Sequence, residues 1–127
     1  MVAWYLWINA LLYVVFAALC SLRPEVTSGS IGFLSLNRGG QSEFLAVYGG
    51  LELGLALVFA WMAWRPELQR TGLAIALLIY APTVLFRCVG VMRLWPVPRM
   101  TLATGALEMA LLLIGLALWF ATKPTAH

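Results

Sequence analysis

An all-α integral membrane protein, a bundle of four helices, is the fold this sequence predicts, and three observations predict it. Hydrophobic residues make up 63% of the 127 and charged residues only 10%, where an ordinary soluble domain carries about 25% charged residues. The mean hydropathy is +0.93. Apolar stretches recur at roughly residues 2–22, 43–64, 70–94 and 100–121, each near or above the roughly 20 residues that a helix needs to cross a hydrocarbon core. Between the later stretches, Arg65-Pro66-Glu67 and Trp95-Pro96-Val97-Pro98-Arg99 end helices cleanly, because proline lacks a backbone donor. The chain therefore reads as a single four-span domain.

The first stretch has no basic residues before it and is too long for a signal-peptide core, so it reads as a retained helix. Tyr5, Asn9, Tyr13, Phe16 and Cys20 share one stripe of that helix. The first connection, residues 23–42, is rich in Ser and Gly and holds a short apolar run, Ile31-Gly32-Phe33-Leu34. It is either a lid or interfacial segment, or a surface loop with a few buried anchors. Ser42 is the expected N-cap of the second span, with Glu43 at the positive helix end. On that span Tyr48 and Glu52 lie one turn apart. Gly50 and Gly54 form a small-xxx-small pair on a roughly opposite face, suited to close packing within the bundle or to a homo-oligomer. The third span carries Tyr80, Thr83 and Arg87 together, with Pro82 expected to kink it. The fourth carries Thr101, Thr104 and Glu108. Short second and third connections make successive helices antiparallel.

Eight basic and five acidic side chains leave a net charge of +3 without any basic cluster, so nucleic acid is not an expected partner. No metal or cofactor is expected either. The only histidine, His127, ends the chain, and no intramembrane imidazole exists to ligate haem or a metal. Cys20 and Cys88 stand apart in apolar surroundings and read as small buried hydrophobes. The scattered Met62, Met92, Met100 and Met109 read as filler. Trp4, Trp7, Trp61, Trp64 and Trp119 fall on the terminal side and Trp95 opposite, as interfacial rings do. An even number of spans places both termini on one side. Arg23, Arg38, Arg93 and Arg99 oppose Arg65, Arg70 and Lys123; with Arg38 and Arg93 assigned to a site, the count points to cytoplasmic termini in the cell inner membrane.

Glu52, Arg87 and Glu108 each lie within roughly 6 Å of the midpoint of a span, at about 1.5 Å rise per residue, and all are displaced towards the first and third connections. Asn9 is displaced the other way. Ionisable groups at that depth are costly and mark functional positions by default. Gly49-Gly50-Leu51-Glu52-Leu53-Gly54 matches Gly105-Ala106-Leu107-Glu108-Met109-Ala110, which suggests two pseudo-repeated hairpins related by an axis along the membrane normal. Above the three charges, Arg38, Glu43 and Arg93 would line a polar funnel. Two carboxylates and one guanidinium cannot balance, so one glutamate is expected to pair with Arg87 while the other carries a proton. Such a pair either fixes helix register without chemistry or forms a ligand, proton or substrate site.

Asn37-Arg38-Gly39-Gly40-Gln41-Ser42-Glu43, followed by Tyr48-Gly49-Gly50-Leu51-Glu52-Leu53-Gly54 and by Arg87, Gly90 and Arg93, resembles a bacterial family of small four-span membrane proteins catalogued as domain of unknown function 4345. The resemblance runs over nearly the whole chain. It implies the architecture and the choice of polar positions, and no reaction.

Three functions compete. The first is binding or transport of a small, anionic or lipid-like ligand, with Arg87, Arg38, Glu43, Tyr48, Tyr80, Thr83, Arg93 and Thr104 around it and a glutamate as proton carrier. The second is an intramembrane acid/base enzyme, a lipid or terpenoid isomerase, cyclase or epoxide-opening enzyme, with Glu52 and Glu108 as its catalytic carboxylates. The third is an accessory subunit docked through its glycine face. Membrane lipids are partners in all three.

Overall fold

A computed structural model describes residues 1–122; Lys123 and His127, considered above, lie outside the described residues. The elements are α1 (Val2–Leu22), α2 (Pro24–Ser30), α3 (Arg38–Trp64), a 3-10 turn (Pro66–Leu68), α4 (Gln69–Leu94) and α5 (Arg99–Ala121). Four helices are long and apolar enough to cross a membrane. Among the described residues there is no strand.

The first connection is more structured than a loop. Arg23 leaves helical geometry and Pro24 opens α2 at its first position, where a missing N–H costs nothing. The hydroxyls of Thr27, Ser28 and Ser30 donate to the carbonyls of Arg23, Glu25 and Thr27. Gly32 then takes a φ of +104°, a conformation open to glycine, and turns the chain back towards the bundle.

Helix α3 begins at Arg38, earlier than the apolar stretch starting at 43. Its cap is Asn37, whose side chain accepts from the Gly40 N–H at 2.8 Å, and not Ser42. Hydropathy misses this turn because residues 38–43 are polar yet helical. Glu43 consequently sits beyond the first turn. Residues Leu45–Leu51 then form a π-helical segment, a wider winding that is rare and concentrated at functional sites. Arg65, extended before Pro66, ends α3. Helix α4 continues unbroken through Pro82. The Trp95–Pro96 peptide is cis, and α5 starts after Pro98.

Helix α1 packs along α3 and α4 along α5, with fewer contacts joining these two pairs. The core, around Leu6, Phe59, Leu73 and Ala76, lies nearer the N-terminal end of α1. Helix α5 is the least covered, burying only Leu111 and Gly115. Arg70 ties the two ends of the second pair: its guanidinium lies 4.3 Å from the centroid of the Trp119 ring and Nη1 donates to the Thr122 carbonyl at 2.5 Å. Trp119 is thus a partly buried packing partner, whereas Trp4, Trp61, Trp64 and Trp95 are exposed.

Lipid tails are as apolar as leucine, so close backbone approach and hydrogen bonds, more than apolar burial, would hold such helices together in a membrane. Gly72 lets α4 approach α1 and α3 closely. Gly50 and Gly54 do not pack on any other described helix: a Cβ at Gly54 would meet nothing within 4 Å, and one at Gly50 only the Leu45 carbonyl at 4.0 Å. A methyl group at Gly72 would lie 2.9 Å from Leu6 Cδ1 and 3.0 Å from Met62 Cβ. Gly72→Ala is therefore expected to cost about 1–3 kcal/mol and Gly54→Ala nothing measurable. Thermal unfolding in detergent, followed by circular dichroism, checks this; equal midpoints for the two variants would refute the packing.

Candidate functional site

The polar interior has two parts. The first is a hydrogen-bonded knot on the core side. Tyr5 donates its hydroxyl to the Leu111 carbonyl at 2.9 Å, Asn9 Nδ2 donates to the Tyr5 carbonyl at 2.8 Å, and the Tyr80 hydroxyl donates to Asn9 Oδ1 at 2.5 Å. All three side chains are buried, and the knot joins α1, α4 and α5. Tyr80, expected among the ligand-binding residues, is committed here to Asn9. Asn9, set apart by depth, turns out to be the centre of the knot. The signal was present in the stripe of α1, since an amide within an apolar helix needs a partner across a helix interface.

The second part holds the charges. Arg87 donates through Nε to Glu108 Oε2, and through Nη2 to Glu108 Oε1 at 2.7 Å. This fork-on-fork geometry is the strongest form of the interaction. It leaves Nη1 without a described partner. The side chains are 28% and 14% exposed for Arg87 and Glu108. Gly105, nearly one turn before Glu108, makes the reach possible: a Cβ there would stand 2.6 Å from Arg87 Cδ, so the arginine stem crosses α5 where a side chain is missing.

Glu52 occupies the junction where the π segment returns to α-helix. It is partly buried and has no hydrogen bond or ion pair among the described residues. Tyr13 is stacked on Phe59 with centroids 5.7 Å apart. Arg87 therefore pairs with the glutamate on its own hairpin, while the matching glutamate on α3 stays unpaired.

An aromatic cap covers the loop end. Tyr48, one turn before Glu52, stacks on Phe44 at 4.7 Å, and Phe16 and Phe33 stand at 6.5 Å from Tyr48. Phe33 comes from the apolar run of the first connection, so that run contributes one anchor while Leu34 beside it is fully exposed. Nothing in the sequence paired Phe33 with Tyr48.

The remaining expected residues stand apart. Arg38, Glu43 and Arg93 are exposed, without a side-chain hydrogen bond or ion pair among the described residues. Thr83 and Thr104 donate to the carbonyls of Ile79 and Met100 at 2.7 and 2.9 Å, four residues earlier in their own helices. Cys20 is buried as expected, but Cys88 is exposed. No group of three or more metal-ligating side chains occurs among the described residues.

Between α4 and α5 runs a groove of about 480 Å³, lined by Val91, Met92, Leu102, Gly105, Met109 and Arg87 among others. The arrangement thus offers a guanidinium with an unused nitrogen, a paired carboxylate and an unpaired one.

Tyr80→Phe would leave Asn9 Oδ1 buried without its donor and is expected to cost about 1–3 kcal/mol. Adding Asn9→Leu removes the orphaned acceptor and should recover much of the loss. Chemical unfolding of both variants provides the check, and a neutral Tyr80→Phe would contradict the knot. Comparison with family models, with curated proteins and with solved structures finds no match to this chain.

Proposed function

We propose that this chain is a multi-pass protein of the bacterial inner membrane, of the small four-span kind it resembles, with cytoplasmic termini. In this reading it binds or moves a small anionic or lipid-like ligand at Glu52, Arg87 and Glu108, in linkage with a proton. The observation that carries the reading is the asymmetry of the two carboxylates: Glu108 forms a two-pronged pair with Arg87, and Glu52 has no described partner. The paired charges offset each other. An unpaired carboxylate in hydrocarbon is too costly to stay ionised, which makes Glu52 the proton carrier.

Linkage follows from charge conservation within the site. An anion that takes Arg87 leaves Glu108 without a counter-charge, and a proton taken up from solution, directly or relayed through Glu52 with Glu52 reprotonated, restores neutrality. Anion binding is then accompanied by proton uptake, so affinity rises as pH falls. Loss of the anion reverses both steps. The aromatic cap formed by Phe33, Phe44 and Tyr48 supports access controlled from the loop end, and the open face at Gly50 and Gly54 supports association of two copies.

Infrared spectra of the protein in lipid should contain a protonated-carboxyl band at neutral pH that is lost in Glu52→Gln and kept in Glu108→Gln. Ionisation of both carboxylates under those conditions would overturn the reading. Glu108→Gln frees Arg87 from its competitor, so binding of an anionic amphiphile at neutral pH, measured by calorimetry in nanodiscs, should tighten about tenfold. An enzyme using these carboxylates would instead retain binding and lose turnover, and an accessory subunit would remain functional in both variants.

A further inference from the structure

We propose that the two hairpins share one plan, in which a side chain of the leading helix crosses a glycine three residues before the glutamate, and that Ser21 holds in the first hairpin the place that Arg87 holds in the second. Ser21 is then the residue that leaves Glu52 without a counter-charge. This names what selects the proton carrier of the function proposed above, and it rests on that reading.

The observation that carries the proposal is a pair of close approaches. Gly49 precedes Glu52 by three residues, as Gly105 precedes Glu108. A Cβ at Gly49 would stand 2.5 Å from Ser21 Oγ, and one at Gly105 would stand 2.6 Å from Arg87 Cδ. These are the two closest such approaches among the glycines; the next, at Gly72 and Gly115, are both 2.9 Å. In each case the crossing side chain comes from the other long helix of the same hairpin, α1 for α3 and α4 for α5. The likeness of the two halves therefore extends from the residues around the glutamates to the packing against them.

Side-chain direction connects the glycine to the carboxylate. Helical side chains lean towards the N-terminus and cover the turn before their own Cα, so a glutamate three residues after a glycine extends over the gap that the glycine leaves. The second hairpin shows the result: Glu108 meets Arg87, whose stem lies in the gap at Gly105. In the first hairpin the gap at Gly49 receives a hydroxyl. A hydroxyl donates and accepts, so it suits a carboxyl group in either protonation state, whereas a guanidinium only donates and keeps its charge. One residue difference, Ser21 against Arg87, thus separates the two glutamates.

The first test is geometric. Ser21 Cβ lies 3.8 Å from the Cβ position at Gly49, the usual separation across a disulfide. In the full chain carrying Cys20→Ala and Cys88→Ser, Ser21→Cys with Gly49→Cys should oxidise to one intramolecular disulfide, detected by peptide mass spectrometry. Ser21→Cys with Gly50→Cys should not. The second test exchanges the two positions. In lipid at neutral pH, the protonated-carboxyl infrared band of the chain carrying Ser21→Arg and Arg87→Ser should be lost on adding Glu108→Gln and kept on adding Glu52→Gln, the reverse of the unsubstituted chain. Ser21→Gln, which adds bulk without charge, should leave the band with Glu52. A band that stays with Glu52 after the exchange overturns the proposal. Absence of the disulfide overturns it too, and decides the matter even where the exchanged chain does not fold. The two readings also fail separately: an unsubstituted chain without a protonated-carboxyl band overturns the proton-carrier reading, while the disulfide, formed or not, still decides the shared plan.

Discussion

If the four long apolar helices cross a membrane, each polar group among them must find its partner inside the protein, and this requirement organises the bundle. Apolar side chains gain little by leaving lipid for protein, so they cannot choose one arrangement of four greasy helices over another. Tyr5, Asn9 and Tyr80 can, because each satisfies a donor or acceptor on a different helix. The same logic aligns α4 with α5 through Arg87 and Glu108. Small residues then follow from the polar contacts: Gly115 sits where the Tyr5 hydroxyl arrives, and Gly105 where the Arg87 stem crosses.

These contacts give the interior a closed end and a guarded one. Towards the N-terminal end of α1, the knot is embedded in Leu6, Phe59, Leu73 and Ala76, leaving little room for a solute. Towards the first connection, Phe33 rests on Phe44 and Tyr48 above the level of Glu52. The route that avoids both is the gap between α4 and α5.

Much of this architecture was legible in the sequence. Apolar runs and proline punctuation located the long helices to within a few residues, and charge depth selected Glu52, Arg87 and Glu108. Asn37 as the cap of α3 was missed because the polar first turn looked like part of the loop. The π segment was invisible, since no residue pattern in Leu45–Leu51 marks it off from ordinary α-helix. Helical spacing placed Tyr80 with Arg87 on one face, but a buried hydroxyl goes to the nearest unsatisfied acceptor, which is Asn9. Which glutamate Arg87 prefers depended on Gly105, and a glycine in a glycine-rich helix gives no warning that it is making room for a guanidinium.

Arg87 and Glu108 belong to consecutive helices joined by the short segment around Trp95–Pro98. That proximity along the chain bears on biogenesis. A guanidinium delivered alone to the middle of a bilayer costs several kcal/mol, a barrier that its own insertion step would have to meet. Here the counter-charge follows within 21 residues, so, in the membrane reading proposed above, the helical hairpin carries this guanidinium into lipid already paired. The first two long helices need no such escort, because α1 carries no charge and Glu52 can enter with its proton.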